Sequence, residues 1–120
     1  MKVGYKIWLE NDGKVFGRGP YALLKGVEET SSLHQAAARM GMSYSKAWRI
    51  ISNAEKKLGF FLLARTRGGL DGGGSKITPA AKELMGRCEH LEKDVGEAIE
   101  RIYRQHFGPS TGSGRAQGDS

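Results

Sequence analysis

One cysteine, Cys88, is all that the chain carries, so an intramolecular disulfide is excluded and a reducing, cytoplasmic setting is expected. Long apolar runs are missing too. Nothing approaches the roughly 18 consecutive apolar residues of a membrane span, and Met1-Lys2-Val3-Gly4-Tyr5-Lys6 has no secretory apolar core. No membrane partner is expected. Catalytic and metal-binding patterns are equally scarce. His34, His90 and His106 fall on separate segments, with no His-Glu-x-x-His pattern and no paired cysteines for zinc. Cys88 sits on an apolar stripe, where a thiol packs rather than attacks. The expectation is a non-enzyme with no cofactor and no metal.

What is present is positive charge and glycine. The 120 residues fit one domain with one modest core. A net charge of +6 permits a polyanionic partner without naming it. The alternation of Val3, Tyr5, Ile7 and Leu9 predicts a strand over 3–9. Asn11-Asp12-Gly13 then turns the chain into a second strand over 14–17, making an N-terminal hairpin. Gly19-Pro20 punctuates, and a first helix follows over 21–30 with Leu23, Leu24 and Val27 inward.

The next window is the most specific. Ser32 followed by Gln35 is a capping-box pattern opening a helix over 32–40, and Gly41 stands where a C′ glycine ends it. A second helix follows Ser43 and runs to Leu58, stopped by Gly59. Ala37 is small where the helices cross, and Ala36, Met40, Met42, Ala47 and Ile50 hold the pair together. Two short helices joined by a glycine turn form a helix-turn-helix, which presents its second helix to the major groove; a plain helical hairpin is the competing reading. The outward face of 43–58 offers Ser43, Tyr44 and Ser45 at its start, then Lys46, Arg49, Ser52, Asn53, Lys56 and Lys57, against one acid, Glu55. Arg49 suits guanine and Asn53 suits adenine. Tyr44 and Trp48 lie to one side, where they can pack on the first helix or on the wing rather than touch a base.

A strand over 60–66 and a partner over 76–78 predict a wing, joined by the glycine-rich stretch from Arg67 to Ser75. Gly74-Ser75-Lys76 is not a phosphate loop, which needs Gly-Lys-Ser/Thr opening a helix. Arg65, Arg67 and Lys76 flank the loop and suit the sugar-phosphate backbone, though a generic mobile loop fits as well. Positive charge concentrates on this half of the chain, since 79–107 has more acids than bases.

Thr78-Pro79 is an N-cap with proline at N1. It opens a helix expected to reach Phe107, and Gly108 to Ser120 reads as a disordered tail. Leu84, Cys88, Leu91, Val95, Ala98 and Ile102 are spaced 4, 3, 4, 3 and 4, a heptad seam suited to pairing with a second copy. Gly86 and Gly96 interrupt the helix where a close crossing can use them. The fold class is thus mainly α with small β. A winged helix-turn-helix with its N-terminal hairpin occupies 1–78, and a long dimerisation helix of the same domain occupies 79–107.

Over residues 20–107 the chain resembles the winged N-terminal DNA-binding domain of the molybdate-responsive ModE regulators, related to the LysR-type helix-turn-helix. The resemblance rests on Ser31-Ser32-Leu33-His34-Gln35-Ala36-Ala37, on Gly41-Met42-Ser43-Tyr44-Ser45-Lys46-Ala47-Trp48, and on Arg65 through Thr78 with its glycine run. It implies dimerisation through long helices, DNA contacts from the recognition helix and wing, and control of molybdate-transport or molybdoenzyme genes. Full-length members also carry molybdate-binding domains. Residues 108–120 cannot form one, so the resemblance implies a stand-alone DNA-binding version that does not itself hold the effector oxyanion.

The expected function is sequence-specific binding of double-stranded DNA by a homodimeric, bacterial-type transcription regulator. Two alternatives stay open on the residues: a nonspecific architectural nucleic-acid-binding protein, and a winged-helix adaptor that binds protein.

Overall fold

A computed structural model describes residues 1–64 and 74–108. They form a short hairpin of β1 (Leu9–Glu10) and β2 (Lys14–Phe16), then α1 (Arg18–Thr30), α2 (Leu33–Arg39), α3 (Tyr44–Leu58) and α4 (Pro79–Phe107). Two compact units divide these residues. One is Ile7–Gly86, and the other joins Met1–Lys6 to the described residues from Arg87 onward.

The hairpin is shorter than the alternation predicted. Leu9 pairs with Phe16 and Glu10 with Lys14, and residues 3–8 are not in a strand. A strand extends only as far as its partner, and β2 has three residues. Asp12 and Gly13 take φ of 59° and 106°, the left-handed backbone that a tight hairpin demands. Val15 and Phe16 are both buried, so the hairpin finds its stability against the helices rather than alone.

Helix α1 starts at Arg18, not at residue 21. Gly17 is its N-cap, and Pro20 falls in the first turn, where the missing N–H has no intrahelical partner to lose. Gly26 sets the closest crossing. A Cβ there would lie 2.6 Å from the Ala36 Cβ of α2, so the small pair that seats α1 on α2 is Gly26 and Ala36. Leu23, Leu24 and Ile51 are fully buried, each contributing about 1.5–3 kcal/mol.

The serine caps of α2 and α3 stand where the sequence placed them, but the reciprocal half of the Ser32 capping box is supplied by Thr30 in place of Gln35. The Ser32 hydroxyl accepts from the Gln35 amide at 3.1 Å, while the Ser32 amide donates to the Thr30 hydroxyl, also at 3.1 Å. At the far end, Gly41 has φ of 69°, with its amide on the Ala38 carbonyl and that of Met42 on the Ala37 carbonyl. This crossed pair is a Schellman turn, and it fixes the angle at which the chain leaves α2. Gly59, at φ of 86°, ends α3.

Among the described residues the predicted wing strands show one antiparallel bridge, Leu63 with Ile77, flanked by Ala64 N–H to the Lys76 carbonyl and Thr78 N–H to the Leu62 carbonyl. The side chains explain the brevity. Phe61 is 54% exposed, so 60–61 lack the buried face that would extend pairing, whereas Leu62 and Leu63 are buried. The loop tip, with Arg65 and Arg67, and the tail beyond Gly108 lie outside the described residues. The Thr78 hydroxyl accepts from the Ala81 amide and donates to the Phe61 carbonyl, capping α4 and tying it to the wing base. Only Ala81 and Met85 of α4 are buried, both in its first two turns. In the unit that contains Met1–Lys6, the Tyr5 hydroxyl lies 2.6 Å from where a Cβ on Gly96 would stand, so this glycine makes room for an aromatic of the N-terminal segment.

Candidate nucleic-acid interface

Helix α3 organises the site. The Ser43 hydroxyl accepts from the Lys46 amide at 3.1 Å, satisfying one orphan donor and starting the helix at Tyr44. Ala47, Ile51 and Ala54, spaced for one helical face, are buried and lock its rotation. The opposite face must then look outward. Ser43, Tyr44, Ser45, Lys46, Arg49, Asn53 and Lys56 are all exposed, and Lys46 to Lys56 spans about 15 Å along the axis. Of the ten expected DNA-contacting residues, Ser45, Lys46, Arg49, Asn53 and Lys56 share this outward face by helical spacing, while Ser43 caps the helix and Tyr44 lies to one side. Lys76 is also exposed, at the wing base, where its carbonyl takes part in the bridge. Arg65 and Arg67 lie outside the described residues.

The electrostatics of this face differ from the sequence reading in one respect. Glu55, counted there as the single acid of the face, is 7% exposed and turned inward, where its carboxylate accepts the Leu62 amide at 2.7 Å and the Leu63 amide at 3.2 Å. The acid is consumed in holding the wing base against α3, and the outward face keeps only cations. Among the described residues, no carboxylate lies within ion-pair distance of Lys46, Arg49, Lys56 or Lys76. By contrast, Arg39 holds Glu29 at 2.6 Å, and Lys25 and Lys82 both approach Glu28.

Two contacts were invisible in the sequence. The Asn11 amide of the hairpin turn donates to the Lys57 carbonyl across 46 residues, clamping the C-terminal end of α3. A Cβ on Gly13 would lie 3.0 Å from the Lys57 Nζ, so this ammonium rests against the hairpin rather than along the stripe. The second contact is aromatic. Tyr44 stacks on His34 of α2 with ring centroids 3.9 Å apart and planes 9° from parallel. Tyr44 and Trp48 remain 43% and 39% exposed. No local spacing rule links His34 with Tyr44, because the turn at Gly41 brings them together.

On α4, Leu84, Cys88, Val95 and Ala98 are half-buried, and Leu91 and Ile102 are 40% and 52% exposed. The heptad residues lie on one continuous helix, with Lys93–Glu97 and Arg104–Glu100 ion pairs elsewhere on its surface. Burial, with Glu89 and Glu92 nearby, pushes the Cys88 thiol above its ordinary pKa, which favours its protonated form. Among the described residues no group of three or more His, Cys, Asp or Glu could hold a metal ion, and no helix is long and apolar enough to cross a membrane.

Residues 21–84 match the bacterial regulatory helix-turn-helix proteins of the lysR family. The molybdenum transport protein ModE of Herbaspirillum seropedicae is 34% identical over 85 residues, 71% of this chain and 30% of that protein. The transcriptional regulator ModE of Haemophilus influenzae is 35% identical over 77 residues, 64% of this chain and 30% of that protein. The chain spans about a third of the length of the curated relatives it matches. Among solved structures, the CbnR DNA-binding domain in its DNA complex superposes with a TM-score of 0.54 at 21% identity, covering 72% of this chain and 93% of that one. The BenM DNA-binding domain on catB site 1 DNA gives 0.54 at 24% identity, covering 74% and 90%. These likenesses show that the fold is the LysR-type winged helix.

Proposed function

The chain belongs to the lysR family of bacterial regulatory helix-turn-helix proteins, and from that premise we propose that it regulates transcription as a homodimer that binds double-stranded DNA in a sequence-specific way. Helix α3 enters the major groove. Arg49 and Asn53 read base edges, while Lys46, Lys56 and Lys76, with Arg65 and Arg67, hold phosphates and fix the register. The observation that carries this reading is the outward face of α3, whose cations have no carboxylate partner among the described residues while Glu55 is turned inward. An adaptor surface for protein has no need of such a stripe, and a nonspecific binder has no need of Arg49 and Asn53 at mid-helix.

The seam on α4 supplies the second copy. From Arg87 to Phe107 the helix has no fully buried residue, yet it presents Leu91, Val95, Ala98 and Ile102 at heptad spacing. Pairing two such helices sets two α3 helices on two half-sites. Relatives named for molybdenum transport make molybdate-linked or other oxyanion-linked genes the proposed targets.

Selection of bound fragments from genomic DNA, followed by mobility shifts on the recovered sequence and on a scrambled one, tests the reading. Enrichment of one two-fold-related motif is the expected result. Binding without preference supports the architectural alternative, and unchanged DNA mobility supports the adaptor.

A further inference from the structure

The stacked pair of His34 and Tyr44 lies outside the buried core. Both side chains are exposed, and the core residues of α2 and α3 are Leu33, Ala36, Ala37, Ala47, Ile51 and Ala54. The stack covers one face of the phenol ring and fixes its orientation, while leaving 43% of Tyr44 open. Tyr44 is the first residue of α3, the end from which a recognition helix reaches base edges, and it directly follows the Ser43 cap. The flat face of the ring, unlike its hydroxyl, does not attract phosphate, for which α3 offers Lys46 and Arg49. In the major groove only thymine offers an apolar group, its 5-methyl.

We propose that the Tyr44 ring, held by His34, packs on the methyl group of one thymine in each half-site and selects for it. The inference rests on the DNA-binding reading above and adds a specificity residue to it. His34 is a positioning residue. Because the stack already orders the ring in the free protein, the contact forms without further loss of side-chain freedom.

The test uses the selected DNA site with each thymine replaced singly by deoxyuridine, which removes the methyl and leaves pairing intact. For the wild type, one replacement per half-site should weaken binding about fourfold, the worth of one buried methyl-sized group. Tyr44→Ala should bind the thymine and uracil sites equally. Tyr44→Phe should keep the discrimination, His34→Ala should lose part of it, and His34→Phe, which retains a stacking ring, should restore it. Equal binding of every uracil site by the wild type overturns the proposal, as does undiminished discrimination by Tyr44→Ala. Either result leaves the DNA reading standing. A wild type that binds no double-stranded DNA overturns that reading, and this proposal with it.

Discussion

Helices α3 and α4 are both amphipathic, yet they leave opposite kinds of surface exposed. Helix α3 buries Ala47, Ile51 and Ala54, with Ile50 and Leu58 half-buried beside them, and turns outward a row of cations that meet no carboxylate among the described residues. Helix α4 buries only Ala81 and Met85. It leaves Leu91, Ile102 and Phe107 open, while its cations Lys93 and Arg104 are neutralised by Glu97 and Glu100. Unpaired charge on a rigid helix suits a polyanion, and exposed apolar residues at heptad spacing with paired charge around them suit a copy of the same helix. On the proposed function, one chain divides reading and pairing between two helices.

The largest break in this contrast should come on α4. Leu91→Asp places a carboxylate in the helix contact, at a cost above the roughly 2–7 kcal/mol of an unpaired buried polar group. Light scattering should show monomers at micromolar concentration, with circular dichroism unchanged. Next in size is Gly26→Ala, which drives a methyl into Ala36 and parts α1 from α2. Overpacking of this kind costs about 1–3 kcal/mol, to be read from the midpoint of urea unfolding. Ser43→Ala removes the α3 cap and should cost about 1 kcal/mol in the same experiment. The smallest effect belongs to Lys56→Ala, which should weaken binding to all DNA alike and lower the salt slope by about 1.

The parts of this molecule that a sequence shows are those decided by neighbours. Ser32, Gly41, Ser43, Gly59 and Thr78 each satisfy a helix end within a few residues, and all stand where the pattern placed them. The exposed stripe of α3 was legible for the same reason, since it follows from helical spacing once Ala47, Ile51 and Ala54 are assigned inward. What failed was decided at a distance. The alternation of Val3 and Tyr5 suggested a strand, but β2 is too short to pair with it. Pro20 is the local exception: it suggested a break, but in a first turn it costs no hydrogen bond. Glu55 was counted outward because the amides that bury it belong to Leu62 and Leu63 in the next element. Asn11 on Lys57 and His34 on Tyr44 join segments with no periodic relation, and only the assembled fold brings them together.

The central claim, that the outward face of α3 reads base sequence, is tested most directly by titrating the wild type and Arg49→Ala on the selected site and on single-base variants at two salt concentrations. The account predicts that Arg49→Ala loses roughly 1–3 kcal/mol at one position of the site and binds the variants of that position as well as the original. Equal loss on every sequence, or no loss at all, would contradict it.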